Sequence, residues 1–144
     1  MKNVYIKIPD LQESDSGVVI ATVTGSKGST PQKEGSSALF RDGKLIAGTV
    51  GGGLVEGKVQ EAAKIQGHLK RSLLLRFTLD NDVSEKDEAI CGGEITILLD
   101  ANPLNNILVF NSIRESVSKR IPGVLITMVT IAGEDQVLIH RYWM

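Results

Sequence analysis

The chain has 144 residues, with 16 basic and 17 acidic side chains and a net charge of −1, so its charge gives no electrostatic case for nucleic acid. Aromatics make up only 4%, which removes the usual base-stacking surface, and a lone cysteine excludes an internal disulfide and fits a reducing compartment. No apolar run approaches the roughly 20 residues of a membrane span and the N-terminus lacks a signal-peptide pattern, so one cytoplasmic domain without a membrane partner is expected.

Residues 1–16 mix charge with one proline, and 10–15 read as an acidic turn. Residues 17–24 are β-rich and almost continuously apolar, as expected of a central strand covered on both faces. A loop of small hydroxyl-bearing residues follows, Gly25-Ser26-Lys27-Gly28-Ser29-Thr30-Pro31, whose backbone N–H groups and lysine suit an anion. Short strands are predicted over 36–40 and 44–46, joined by the hairpin turn Asp42-Gly43.

The segment Gly48-Thr49-Val50-Gly51-Gly52-Gly53-Leu54-Val55-Glu56 comes next. Three glycines in a row are costly to order, so their backbone is expected to take unusual angles or approach something closely. They open a helix predicted over 53–66, with Val55, Val59, Ala62 and Ala63 on its apolar face and Gly67 as its stop. Bare N–H groups at such a helix start attract anions, and Glu56 in the first turn favours the helix dipole. Two phosphate signatures come close and fail. A dinucleotide fingerprint needs glycine where Glu56 stands, and a P-loop needs Ser or Thr where Val59 stands.

A strand is predicted over 72–79, a polar connection over 80–88, and a strand over 94–99 opened by Ala89-Ile90-Cys91-Gly92-Gly93. A helix over 107–119 should carry Ile107, Phe110, Ile113, Arg114 and Val117 on one side, and 124–131 and 136–142 read as a strand pair. This ordering predicts an α/β or α+β domain with a mixed β-sheet packed by helices. Cys91 has acids upstream and no adjacent base or cation, so an activated nucleophile is poorly supported. A soft metal needs no such partner, because the metal itself displaces the thiol proton.

Gly28-Ser29-Thr30-Pro31, Gly35, Asp42-Gly43, the glycine segment through Glu56, and Cys91-Gly92-Gly93 occur here in the order and spacing that resemble the XdhC/CoxI family, most closely over residues 15–100. The resemblance implies a xanthine dehydrogenase accessory factor, a molybdenum cofactor insertion chaperone and not an enzyme. Such a factor binds molybdopterin-type molybdenum cofactor transiently and keeps it while a cysteine desulfurase-type sulfurase acts. It then hands the cofactor to an apo molybdenum hydroxylase. By the family pattern Ser29, Pro31, Gly51, Gly52, Gly53, Glu56, Cys91, Gly92 and Gly93 are the cofactor-binding residues, and Cys91 is the metal ligand. Typical members continue into a C-terminal Rossmann domain that these 144 residues do not contain, so they form either a stand-alone module with a separate Rossmann-domain partner or a fragment. A homodimer is also expected, covering an exposed apolar face. A sulfur-transfer protein using Cys91 is the alternative.

Overall fold

The computed structural model describes residues 3–79, 92–134 and 136–144. The polar connection at 80–88 and Cys91 lie outside the described residues. The nearly unbroken apolar run becomes strand β1 (Val18–Lys27), the middle of a five-stranded sheet ordered β3-β2-β1-β5-β4. Its neighbours are β2 (Ser37–Arg41) and β5 (Glu94–Asp100), flanked by β3 (Lys44–Gly48) and β4 (Leu73–Thr78). All four strand pairs run antiparallel, and one isolated parallel bridge joins Ser29 to Gly92.

Side-chain alternation splits β1 between two cores. Val19, Ala21 and Val23 face helix α1 (Gly53–Leu69), where Val55, Val59 and Ala63 meet Phe40, Ile95 and Ile97. Val18 and Ile20 face the other way, onto Phe110 and Ile113 of helix α2 (Ile107–Ser118) and onto Val4 and Ile8. Helical packing on both sheet faces makes this an α+β fold. Because β1 opens only when both layers separate, amides of residues 19–23 should be among the slowest to exchange with solvent. Fast exchange there, read by NMR or mass spectrometry, would contradict the burial.

Three local features differ from the sequence expectation. Residues 4–10 form a 3-10 helix, Val4–Asp10, because Val4 and Ile8 both have a core to enter. Strand β1 runs on to Lys27, because β5 pairs with it as far as Lys27 opposite Glu94, past a bulge between Val23 and Gly25. Gly67 does not end α1, which continues to Leu69 and stops at Lys70 in the left-handed conformation. Gly67 is instead a packing residue, where a Cβ would come within 2.9 Å of the Gly17 backbone. In α2, Phe110 and Ile113 are buried, whereas Val117 is 45% exposed and Arg114 reaches out to Asp10 at 2.6 Å.

Strands β6 (Leu125–Ile131) and β7 (Val137–Trp143) form a separate two-stranded hairpin. Its β7 side is tied to the main body. Val137 N donates to Ser72 O at 3.1 Å, Arg141 N to Asn106 Oδ1 at 3.0 Å, and Trp143 Nε1 to Ser116 Oγ at 2.9 Å.

Candidate functional site

Antiparallel order sends alternate connections to opposite ends of the sheet. Lys27 lies opposite Glu94, Thr78 opposite Glu94, and Ala38 opposite Gly48. The C-terminal ends of β1, β3 and β4, the beginnings of β2 and β5, and the start of α1 therefore share one end. The described residues expected to bind a cofactor fall in the segments there. The Asp42-Gly43 turn lies at the other end, where Asp42 Oδ1 pairs with His68 Nε2 at 2.9 Å. That part of the sequence pattern therefore builds the hairpin and is remote from the site.

The segments touch one another through backbone. Ser29 bridges Gly92, and Leu79 N donates to Gly93 O at 2.6 Å. A Cβ on residue 93 would stand 2.3 Å from Ser29 O and 2.6 Å from Lys27 O, so only glycine permits this approach. On the other side, a Cβ on Gly51 would lie 2.8 Å from Pro31 Cγ. Ser29, Pro31, Gly51, Gly92 and Gly93 are thus gathered into one patch. Gly51, Gly52 and Gly53 all take positive φ (137°, 67° and 54°), and the Cα of Gly52 faces open space. Gly52 is also the N-cap of α1 and has no side chain to close that helix end.

Glu56 locks this loop from within. Its Oε1 accepts from Thr49 Oγ1 at 2.9 Å and from Val50 N at 3.3 Å, while Gly51 N donates to Thr49 Oγ1 at 3.1 Å. The helix carboxylate reaches back one turn to hold the segment that precedes it, much as a capping-box acid does. Thr49 was missed as a positioning residue by sequence reading, since a hydrogen bond between side chains seven apart leaves no periodic trace. Replacing Glu56 with Ala should cost about 1–3 kcal/mol, because it strips acceptors from a partly buried hydroxyl and N–H. Replacement with Gln should recover part of that loss. Unfolding midpoints of the two variants check this, and equal stability of Glu56→Ala and wild type would remove the lock.

Beside the loop lies a hollow of about 290 Å³ between the first turns of α1 and the end of β4. Leu54, Val55, Phe77 and Leu79 give it apolar walls, and Lys58 lines it as well. Lys58 lies off the apolar face of α1, and Arg76 of β4 lines the hollow too. The stretch from Ser26 to Glu34 is fastened separately, since Glu34 Oε1 accepts from Ser26 Oγ at 2.6 Å and Ser26 N at 2.8 Å. The Ser26 hydroxyl bond, followed by backbone bonds, holds the Glu34 carboxyl below its ordinary pKa. Among the described residues no three His, Cys, Asp or Glu side chains cluster to hold a metal ion.

Comparison with known proteins gives three findings. Residues 11–78 match the model of the XdhC and CoxI family. The chain is 25% identical over 107 residues to the uncharacterized protein YqeB of Escherichia coli (strain K12), covering 74% of this chain and 20% of that protein. Its fold matches a xanthine dehydrogenase crystal structure from Bacillus halodurans with a TM-score of 0.72 at 21% identity, covering 97% of this chain and 42% of that one. The chain thus spans a fifth of the first relative and less than half of the second.

Proposed function

We propose, from the match of residues 11–78 to the XdhC and CoxI family model, that the chain is a maturation chaperone that binds molybdenum cofactor and delivers it to a molybdenum hydroxylase of the xanthine dehydrogenase type. The observation that carries this reading is the convergence of the Ser29–Pro31, Gly51–Gly53 and Gly92–Gly93 backbones at one end of the sheet. Glycine-rich backbone beside a hollow that pairs apolar walls with Lys58 and Arg76 suits a flat, phosphorylated heterocycle. It permits close approach, and N–H groups at a helix start favour the phosphate.

When bound, the cofactor would supply a pterin, a phosphate and a thiolate-held molybdenum. Gly51, Gly52 and Gly53 would bind its phosphate end, and Ser29 and Pro31 would line the neighbouring wall. Glu56 would keep the loop in shape without touching the ligand. Cys91, immediately before Gly92 in sequence, would provide one soft metal ligand. A single protein ligand suits a carrier, because a cage of ligands would oppose release. The partners of this function are an apo hydroxylase and a cysteine desulfurase-type sulfurase.

The test is co-expression with cofactor biosynthesis intact, followed by molybdenum and pterin analysis of the purified protein. Comparable amounts of both should travel with the chain. Absence of both would overturn the reading, and fast alkylation of Cys91 at neutral pH in a cofactor-free protein would favour sulfur transfer instead.

A further inference from the structure

The β6–β7 hairpin has one partly capped edge and one open edge. Val124 N donates to Met144 O at 2.8 Å and Met144 N returns the bond to Val124 O at 3.1 Å, which fixes the alternation of the ladder. Pairing then continues with Ile126 opposite Tyr142, Met128 opposite His140 and Thr130 opposite Leu138 as the mutually bonded pairs. The N–H and C=O groups of Leu125, Thr127, Val129 and Ile131 consequently point away from β7. On the β7 side, two of the corresponding outward N–H groups are capped, those of Val137 by Ser72 O and Arg141 by Asn106 Oδ1. The outward groups of β6 have no partner among the described residues.

An open edge is a template for another strand, and proteins usually blunt such edges with Lys, Pro or a bulge. Strand β6, Leu-Ile-Thr-Met-Val-Thr-Ile, carries none of these and no charge, and it pairs with β7 without a register shift. Its residues Ile126, Met128 and Ile131 are 41%, 47% and 68% exposed. From this we propose that β6 is a homodimer interface, pairing antiparallel with β6 of a second copy about a two-fold axis at Met128. This rests on the hairpin alone and is independent of the cofactor reading.

A second copy suits this edge because uncharged, apolar or β-branched residues meet across the pairing. The outward-facing positions 125, 127, 129 and 131 are symmetric about residue 128. Antiparallel pairing of the strand with itself therefore sets Thr127 opposite the partner's Val129 and Leu125 opposite the partner's Ile131. Every outward N–H of the four residues then meets an outward carbonyl. The exposed Ile131 gains an apolar cross-strand neighbour, and Met128 meets its own counterpart at the axis. Absence of charge along the strand means that no like-charge pair opposes the symmetric contact.

Two variants and two measurements test this. Val129→Pro deletes an N–H that faces away from β7, so the hairpin ladder survives while the edge is blocked. Thr127→Lys places a charge on the edge, the device used by natural edge strands. Sedimentation across about a hundredfold range of concentration should show dimers of the native chain and monomers of both variants. Amides of Leu125, Thr127, Val129 and Ile131 should exchange at least about tenfold more slowly in the concentrated native chain than on dilution. A native chain that stays monomeric with those amides fast would overturn the proposal and leave the edge to a strand of another protein. Variants that fold and remain dimeric would overturn it too.

Discussion

Replacing Asp100 with Ala is expected to cost about 3–5 kcal/mol, enough to unfold a domain whose whole stability is about 5–15 kcal/mol. Asp100 is 2% exposed at the end of β5 and Arg141 is 4% exposed on β7. Asp100 Oδ2 accepts from Arg141 Nη1, and Oδ1 accepts from Asn102 N at 2.9 Å. The guanidinium also lies 5.5 Å from the centroid of the Phe110 ring, so the pair joins the main sheet, α2 and the hairpin. Removing the carboxylate strands a charge where water cannot reach it, and the Nε of Arg141 already lacks a partner among the described residues. The double change Asp100→Leu with Arg141→Met should recover most of the loss, because an apolar pair has no desolvation to repay. Chemical denaturation of both proteins decides this. A single variant within about 1 kcal/mol of the native chain would mean that the pair is hydrated and the hairpin only loosely attached.

A comparable loss should follow from Gly48→Ala. A Cβ at this position would stand 2.0 Å from Ser37 O and 2.6 Å from Val4 Cγ1, and φ is +77°. The neighbouring Thr49 N already donates to Ser37 O at 3.1 Å, so the carbonyl cannot turn away without losing that bond. Overpacking and left-handed strain together should cost about 3 kcal/mol or more. Gly35→Ala is the control, since φ there is +88° but the space is open, leaving about 1–2 kcal/mol of strain alone. If both variants lost the same stability, the clash at Gly48 would be relieved by movement and β3 would not be rigidly set. Because Thr49 also holds Glu56, a Gly48 variant that did fold should have a loosened glycine loop.

Periodicity made much of the architecture legible. The apolar, β-branched run at 17–24 reads as a strand buried on both sides, and Val55, Val59 and Ala63 repeat at helical spacing. The 3-10 helix Val4–Asp10 was not legible, since Val4, Ile6 and Ile8 alternate like a strand while Pro9 suggests a break. Gly67 misled because a glycine that ends a helix and one that lets a helix touch backbone look alike in sequence. At the site, the glycines announced themselves through their entropic cost. Their contact partners did not, because Gly93 against Ser29 and Gly51 against Pro31 depend on antiparallel register. The open edge of β6 was equally invisible, since it depends on which way each N–H points.

The central claim is that Cys91 and the glycine loops hold opposite ends of one cofactor, and Cys91→Ser tests it most directly. Serine keeps the size of cysteine but replaces a soft thiolate with a hard, barely acidic hydroxyl. Molybdenum content, bound pterin and thermal melting are measured together on the native chain, Cys91→Ser and Gly52→Val, each purified from cells making the cofactor. The account predicts that Cys91→Ser melts like the native chain and loses most of its molybdenum while retaining some pterin. Gly52→Val, with a side chain forced onto a φ of +67°, should lose pterin as well. A Cys91→Ser protein that melts well below the native chain while keeping its full molybdenum content would contradict the ligand role and make Cys91 a packing residue.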